Sequence, residues 1–136
     1  MNAEVADALR LKHLVETVRL FPEEIAARTR QIAAGLLAQS RHIDATNFTV
    51  FHPDDLERLF DDYDRLFFEQ LCRASLGPDG LRFRISRRMT RVGGTTTRLR
   101  QRDRPEIRHY EIAVASTLLF QSFQDLERPV VVNGIL

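Results

Sequence analysis

The sequence predicts an α+β protein in which helices come first and a small, mainly antiparallel three-stranded sheet follows. Three observations predict it. Up to about residue 72, apolar side chains recur at helical spacing in three successive runs. Residues 81–86, LRFRIS, then alternate strictly, with Leu81, Phe83 and Ile85 on one face and Arg82, Arg84 and Ser86 on the other. That period of two marks a strand with one buried and one wet face. Two further β-prone runs follow, one opened by Gly93-Gly94 and one around Tyr110 to Ala115.

The first helix is expected over residues 3–20, with Ala6, Leu9, Leu14, Val15 and Val18 at helical spacing. Phe21-Pro22 ends it, because the residue before proline is pushed out of the α region. Pro22 suits the first turn of a second helix, and Glu23 and Glu24 favour its positive end. Ile25, Ala26, Ile32, Leu36 and Leu37 carry that helix to about residue 39. Residues 40–51 are irregular and mark a boundary between a helical leader, residues 1–50, and the main body. Pro53-Asp54-Asp55 then starts the strongest helix, whose apolar face runs through Leu56, Leu59, Phe60, Tyr63, Leu66, Phe67, Leu71 and Cys72. Gly77-Pro78-Asp79-Gly80 is a turn. Strands are expected at 81–86, 95–100 and 107–115, a short helix at 116–123, and a further short strand at 130–132.

A chain of 136 residues suits one domain with a real core. It has no apolar run of transmembrane length, its N-terminus does not read as a signal peptide, and a single cysteine excludes an internal disulfide framework. A cytoplasmic protein without membrane contact is expected. Net charge is +1, but unevenly spread. Residues 1–80 hold 9 Lys/Arg against 14 Asp/Glu, a balance of −5; residues 81–136 hold 11 Arg against 5 acids, a balance of +6.

Ten arginines fall between Arg82 and Arg108, against Asp103 and Glu106 alone. Arginine makes planar, bidentate contacts to phosphate or carboxylate, so Arg84, Arg87, Arg88, Arg91, Arg98 and Arg100 are candidate contacts to nucleic acid or substrate. The plainer reading is a solvated face paired with the acidic helix at residues 54–69. Stacking aromatics are missing from this face, which argues against base-specific single-strand recognition. Gly93 to Thr97 lacks the lysine of a phosphate-binding loop. Asp61, Asp62, Asp64 and Glu69 spread over the outer face of their helix as a solvated set. His13, His42, His52 and His109 form no zinc motif, His52 reads as a helix-start residue, and Cys72 reads as core. No catalytic constellation is assembled within these residues.

Four stretches carry a family resemblance: Asp55-Leu-Glu-Arg-Leu-Phe-Asp-Asp-Tyr-Asp-Arg-Leu-Phe-Phe, then Leu81-Arg-Phe-Arg-Ile-Ser, then Gly93-Gly-Thr-Thr-Thr-Arg, then Tyr110-Glu-Ile-Ala-Val-Ala-Ser-Thr-Leu-Leu. In this order the chain resembles the front half of a SprT-like domain. That family comprises zinc-dependent metalloproteases, including the Spartan proteases that clear DNA–protein crosslinks. The resemblance implies that residues 51–136 are the N-terminal part of a SprT-like, incomplete zincin-like domain. In the family a zinc-binding His-Glu-x-x-His helix follows the sheet, and residues 1–136 contain no such motif. The implied chain is a non-catalytic front half that supplies the sheet walling the active-site cleft. No catalytic or metal residue carries over; no cofactor is expected in this chain, and zinc is expected for the full-length family member. An extended substrate would pair with one strand, with Tyr110, Glu111, Ile112, Ala113 and Val114 as candidates. Implied partners are DNA or a DNA-bound protein, and self-association through uncovered apolar surface is expected. The alternative is an arginine-rich nucleic-acid-binding module without enzymatic activity.

Overall fold

The computed structural model describes residues 3–43, 48, 50–77, 79–100, 102–103 and 109–117. Four helices precede three strands: α1 (Ala3–Thr17), α2 (Pro22–Gln39), α3 (Pro53–Phe67), α4 (Leu71–Leu76), β1 (Leu81–Ser86), β2 (Gly94–Leu99) and β3 (His109–Ala115). The α+β reading holds at this level. Helix α1 ends at Thr17, earlier than its apolar spacing predicts. The expected helix at 116–123 opens at Ser116 and Thr117. Its remainder, the expected strand at 130–132 and residues 107–108 lie outside the described residues.

Helix α3 starts as its sequence dictates. The Nδ1 of His52 accepts from the Asp54 amide at 3.0 Å, and Asp55 Oδ2 accepts from the His52 amide at 3.1 Å. This reciprocal cap satisfies two of the orphan donors at a helix start. The same Asp55 carboxylate accepts from the Ser40 hydroxyl, and that hydroxyl in turn accepts from the amides of His42 (3.1 Å) and Ile43 (3.0 Å). Asp55 is buried as a result. The end of α2 and the start of α3 are therefore locked through one carboxylate.

The apolar face of α3 does not continue as one helix to Cys72. The chain turns a corner at Phe68–Gln70, where Glu69 and Gln70 take φ of 55° and 63°. Asp64 makes the corner. Its carbonyl accepts from the amides of Phe68 (2.9 Å) and Gln70 (3.0 Å), which closes α3. Its carboxylate accepts from the amides of Cys72 and Arg73, both at 2.9 Å, which opens α4. Asp64 is 2% exposed, so it does not belong to a solvated outer face as its acidic neighbours suggest. The signal was in the spacing: Asp64 lies four residues after Phe60 and three before Phe67, on the apolar stripe.

The leader and the body pack together. Ile32, Ala33 and Leu36 of α2 are buried, as are Ile43 and, at the start of α4, Leu71. Arg28 on α2 donates to the Leu66 carbonyl at 2.8 Å and lies 5.6 Å from the Phe67 ring centre, placing a cation at the C-terminal end of α3. Helix α1 packs against α4, yet none of its residues is buried, and Val5, Leu9 and Val15 remain exposed. On its other side α3 meets β1, where Phe60 and Phe83 sit edge to face at 5.7 Å. Arg73 lies over both rings and bonds Asp61 (2.8 Å) and Glu57 (2.9 Å).

The sheet is mixed rather than mainly antiparallel. Its order is β1-β3-β2, with β3 parallel to β1 and antiparallel to β2. The physical cause is the segment 87–93, which passes over the C-terminal end of β3 and delivers β2 to the far side. The Ala115 amide donates to the Gly93 carbonyl at 2.8 Å, and the hydroxyls of Ser116 and Thr117 donate to the carbonyls of Ser86 and Arg87, both at 3.2 Å. Gly94 allows the close approach: a Cβ there would lie 2.9 Å from the Ala113 carbonyl oxygen.

Candidate functional site

The arginine-bearing segment is built from the end of β1 outward. Leu81 to Ile85 keep the expected alternation, but Ser86 turns inward and is buried. Its hydroxyl accepts from the amides of Arg88 (3.3 Å) and Met89 (3.2 Å) and bends the chain out of the strand. Arg87, Arg88 and Arg91 stand exposed on the crossover that follows. Arg98 and Arg100 are exposed at the other end of β2, where Arg98 faces Tyr110 in the β3 register. The structure therefore divides the arginine set. Three residues gather at one end of β2 and two at the other, roughly 17 Å apart at the usual rise per residue.

Their charge is not consumed within the described part of the chain. Among the described residues Arg84 alone of this set is paired, donating from Nε to Glu111 Oε1 at 3.0 Å across the β1–β3 ladder. Among the described residues Arg87, Arg88, Arg91, Arg98 and Arg100 form no ion pair. The acids of α3 are engaged elsewhere. Asp62 lies 3.7 Å from Arg58 and 3.2 Å from Arg65, and Asp61 and Glu57 hold Arg73. Their grip, led by the Asp61 hydrogen bond, raises the Arg73 guanidinium above its ordinary value despite partial burial. The pairing of sheet arginines with the acidic helix, expected from charge alone, is absent among the described residues.

The strand expected to receive an extended substrate sits in a different place. Residues Tyr110, Glu111, Ile112, Ala113 and Val114 form the centre of the sheet, laddered to β1 on one side and β2 on the other. An added strand would have to displace one of them. Among the described residues β1 and β2 are the two edge strands; Gly94 to Arg98 of β2 are exposed throughout, whereas β1 carries α3 on one face. Arginines at the ends of an exposed edge also discourage unwanted pairing between copies, a sufficient structural reason for some of them.

Cys72 is half-buried at the α3–α4 corner, and its thiol is pushed up to about 12, first by burial and then by the hydrogen bond and charge of Asp64. It is held neutral and unreactive at physiological pH. One group of metal-ligating side chains comes together among the described residues: His42, His52 and Asp54. Among the described residues no helix is long and apolar enough to cross a membrane. No family model matches the chain, and no curated protein or solved structure matches it either.

Proposed function

We propose that this chain is the sheet-bearing front half of a SprT-like zinc-dependent metallopeptidase domain, non-catalytic by itself, whose sheet walls the cleft of the complete enzyme. The observation that carries the reading is the element order behind the resemblance. A long helix with an aromatic face packs on a small sheet, an arginine-bearing crossover leads to an exposed strand, and strand β3 runs into a helical turn at Ser116-Thr117. Substrate pairing moves from β3 to the edge of β2, because among the described residues β3 is laddered on both sides and β2 on one. Main-chain hydrogen bonds along such an edge bind extended peptides with little demand on sequence. The gene tests the reading. A His-Glu-x-x-His helix is expected within a few tens of codons after residue 136, and its absence ends the proposal.

A second reading, a nucleic-acid-binding surface, is favoured by one observation: five exposed arginines whose charge no described acid neutralises. It is compatible with the first, since a protease acting on DNA-bound proteins gains from a basic surface. Changing Arg87, Arg88, Arg91 and Arg98 together to glutamine is expected to weaken duplex binding regardless of sequence. The slope of log affinity against log salt should fall by about four, one for each arginine withdrawn from a phosphate. Fluorescence anisotropy across a salt series measures it. Unchanged affinity and slope would remove this reading while leaving the peptidase proposal standing.

A further inference from the structure

We propose that His42, His52 and Asp54 form a binding site for a divalent first-row transition ion, zinc in the first place. The site is independent of both readings above, and it revises the sequence-based expectation that these residues hold no metal. In the sequence the two histidines stand ten positions apart with no recognisable motif. In the fold they meet, with ring centres 4.0 Å apart and planes 12° from parallel. Asp54 Oδ2 lies 3.3 Å from His52 Nδ1 and 3.8 Å from His42 Nε2, and one ligand atom from each residue falls within 4.8 Å of the others. A tetrahedral ion with bonds of about 2.0–2.1 Å holds its ligand atoms about 3.3 Å apart. The His52–Asp54 separation of 3.3 Å thus matches what binding needs, the His42–Asp54 separation of 3.8 Å exceeds it by about 0.5 Å, and the third lies within 4.8 Å.

Two imidazoles and one carboxylate make a donor set that suits zinc and its neighbours rather than magnesium or calcium, which take oxygen ligands. Three protein ligands leave a fourth position open to water or another donor.

The backbone beneath the ligands is built to hold them. The Ser40 hydroxyl accepts from the His42 amide and donates to Asp55, and Asp55 accepts from the His52 amide. The two histidine-bearing segments are therefore tied to one buried carboxylate before any ion arrives. Such supporting interactions fix ligand positions and contribute to affinity.

Two adjustments complete the chelate. The stacked rings must turn so that their in-plane lone pairs converge, which their partial exposure permits: 32% for the His42 side chain and 43% for His52. His52 Nδ1 must also exchange the Asp54 amide proton it now accepts for the ion.

Isothermal titration of the untagged 136-residue chain with zinc chloride tests the site. One ion per chain is expected. His42→Ala, which leaves the α3 cap intact, is expected to weaken binding more than about tenfold. His52→Asn removes a ligand but keeps an oxygen able to cap Asp54, and the same loss is expected. Far-UV circular dichroism of both variants confirms that the helices remain. Absence of zinc binding by the wild-type chain, or binding undiminished in both folded variants, overturns the proposal.

Discussion

Replacing Asp64 by alanine is expected to cost about 3 kcal/mol of folding stability, roughly 10 °C in Tm for a chain of this size. The magnitude follows from what the carboxylate does. It is buried and accepts from two backbone amides that open α4, at 2.9 Å each. Hydrogen bonds to a charged acceptor contribute about 1.5–3 kcal/mol, and alanine leaves both donors without a partner inside the protein. The corner also holds two non-glycine residues, Glu69 and Gln70, at positive φ, a conformation that costs about 1 kcal/mol or more each and persists only where the surroundings dictate it. Asp64→Asn keeps one acceptor oxygen and should cost less, about 2 kcal/mol. A second measurement reads the same corner through its thiol. Removing the hydrogen bond and charge of Asp64 lowers the Cys72 thiol toward its ordinary value, so alkylation at pH 8 should quicken in Asp64→Ala while the protein remains folded. A stability loss under about 1 kcal/mol would show that the corner stands without its carboxylate.

Leu36→Ala is expected to cost a similar amount, about 3 kcal/mol, through reduced burial and the cavity left behind. Leu36 is 1% exposed and lies on α2, beside Ile32 and Ala33. The shape of the transition is as informative as its midpoint. Helix α2 is joined to α3 by packing, by Arg28 on the Leu66 carbonyl and by the Ser40–Asp55 bond. One denaturant transition, shifted as a whole and followed equally by circular dichroism and tyrosine fluorescence, is therefore expected. Two transitions, with the sheet unaffected by the substitution, would mean that residues 1–50 fold apart from the rest.

Both residues show where the sequence was legible and where it was not. Leu36 could be placed in the core from spacing alone. Asp64 could have been, since it interrupts an apolar stripe, but a carboxylate among Asp61 and Asp62 reads as surface until its partners are known. Those partners are backbone amides eight and nine residues on, available only because the chain reverses at Glu69 and Gln70. Histidines 42 and 52 were equally opaque: their meeting depends on Ser40 and Asp55 drawing two segments together, and no local pattern encodes that.

What the sequence determined by itself was local. Proline and acidic residues at helix starts, apolar residues at three- and four-residue intervals, and the alternation from Leu81 to Ile85 set α2, the start of α3 and the strand β1 through backbone preferences within a few residues. What only the tertiary structure decided was non-local. The place of β3 at the centre of the sheet, with β1 and β2 as its edges among the described residues, depends on pairings between residues 81–86, 94–99 and 109–115. A strand of either order would satisfy the same alternation. The division of the arginines between the two ends of β2 follows from the same choice, because the crossover that carries three of them had to pass over the end of β3.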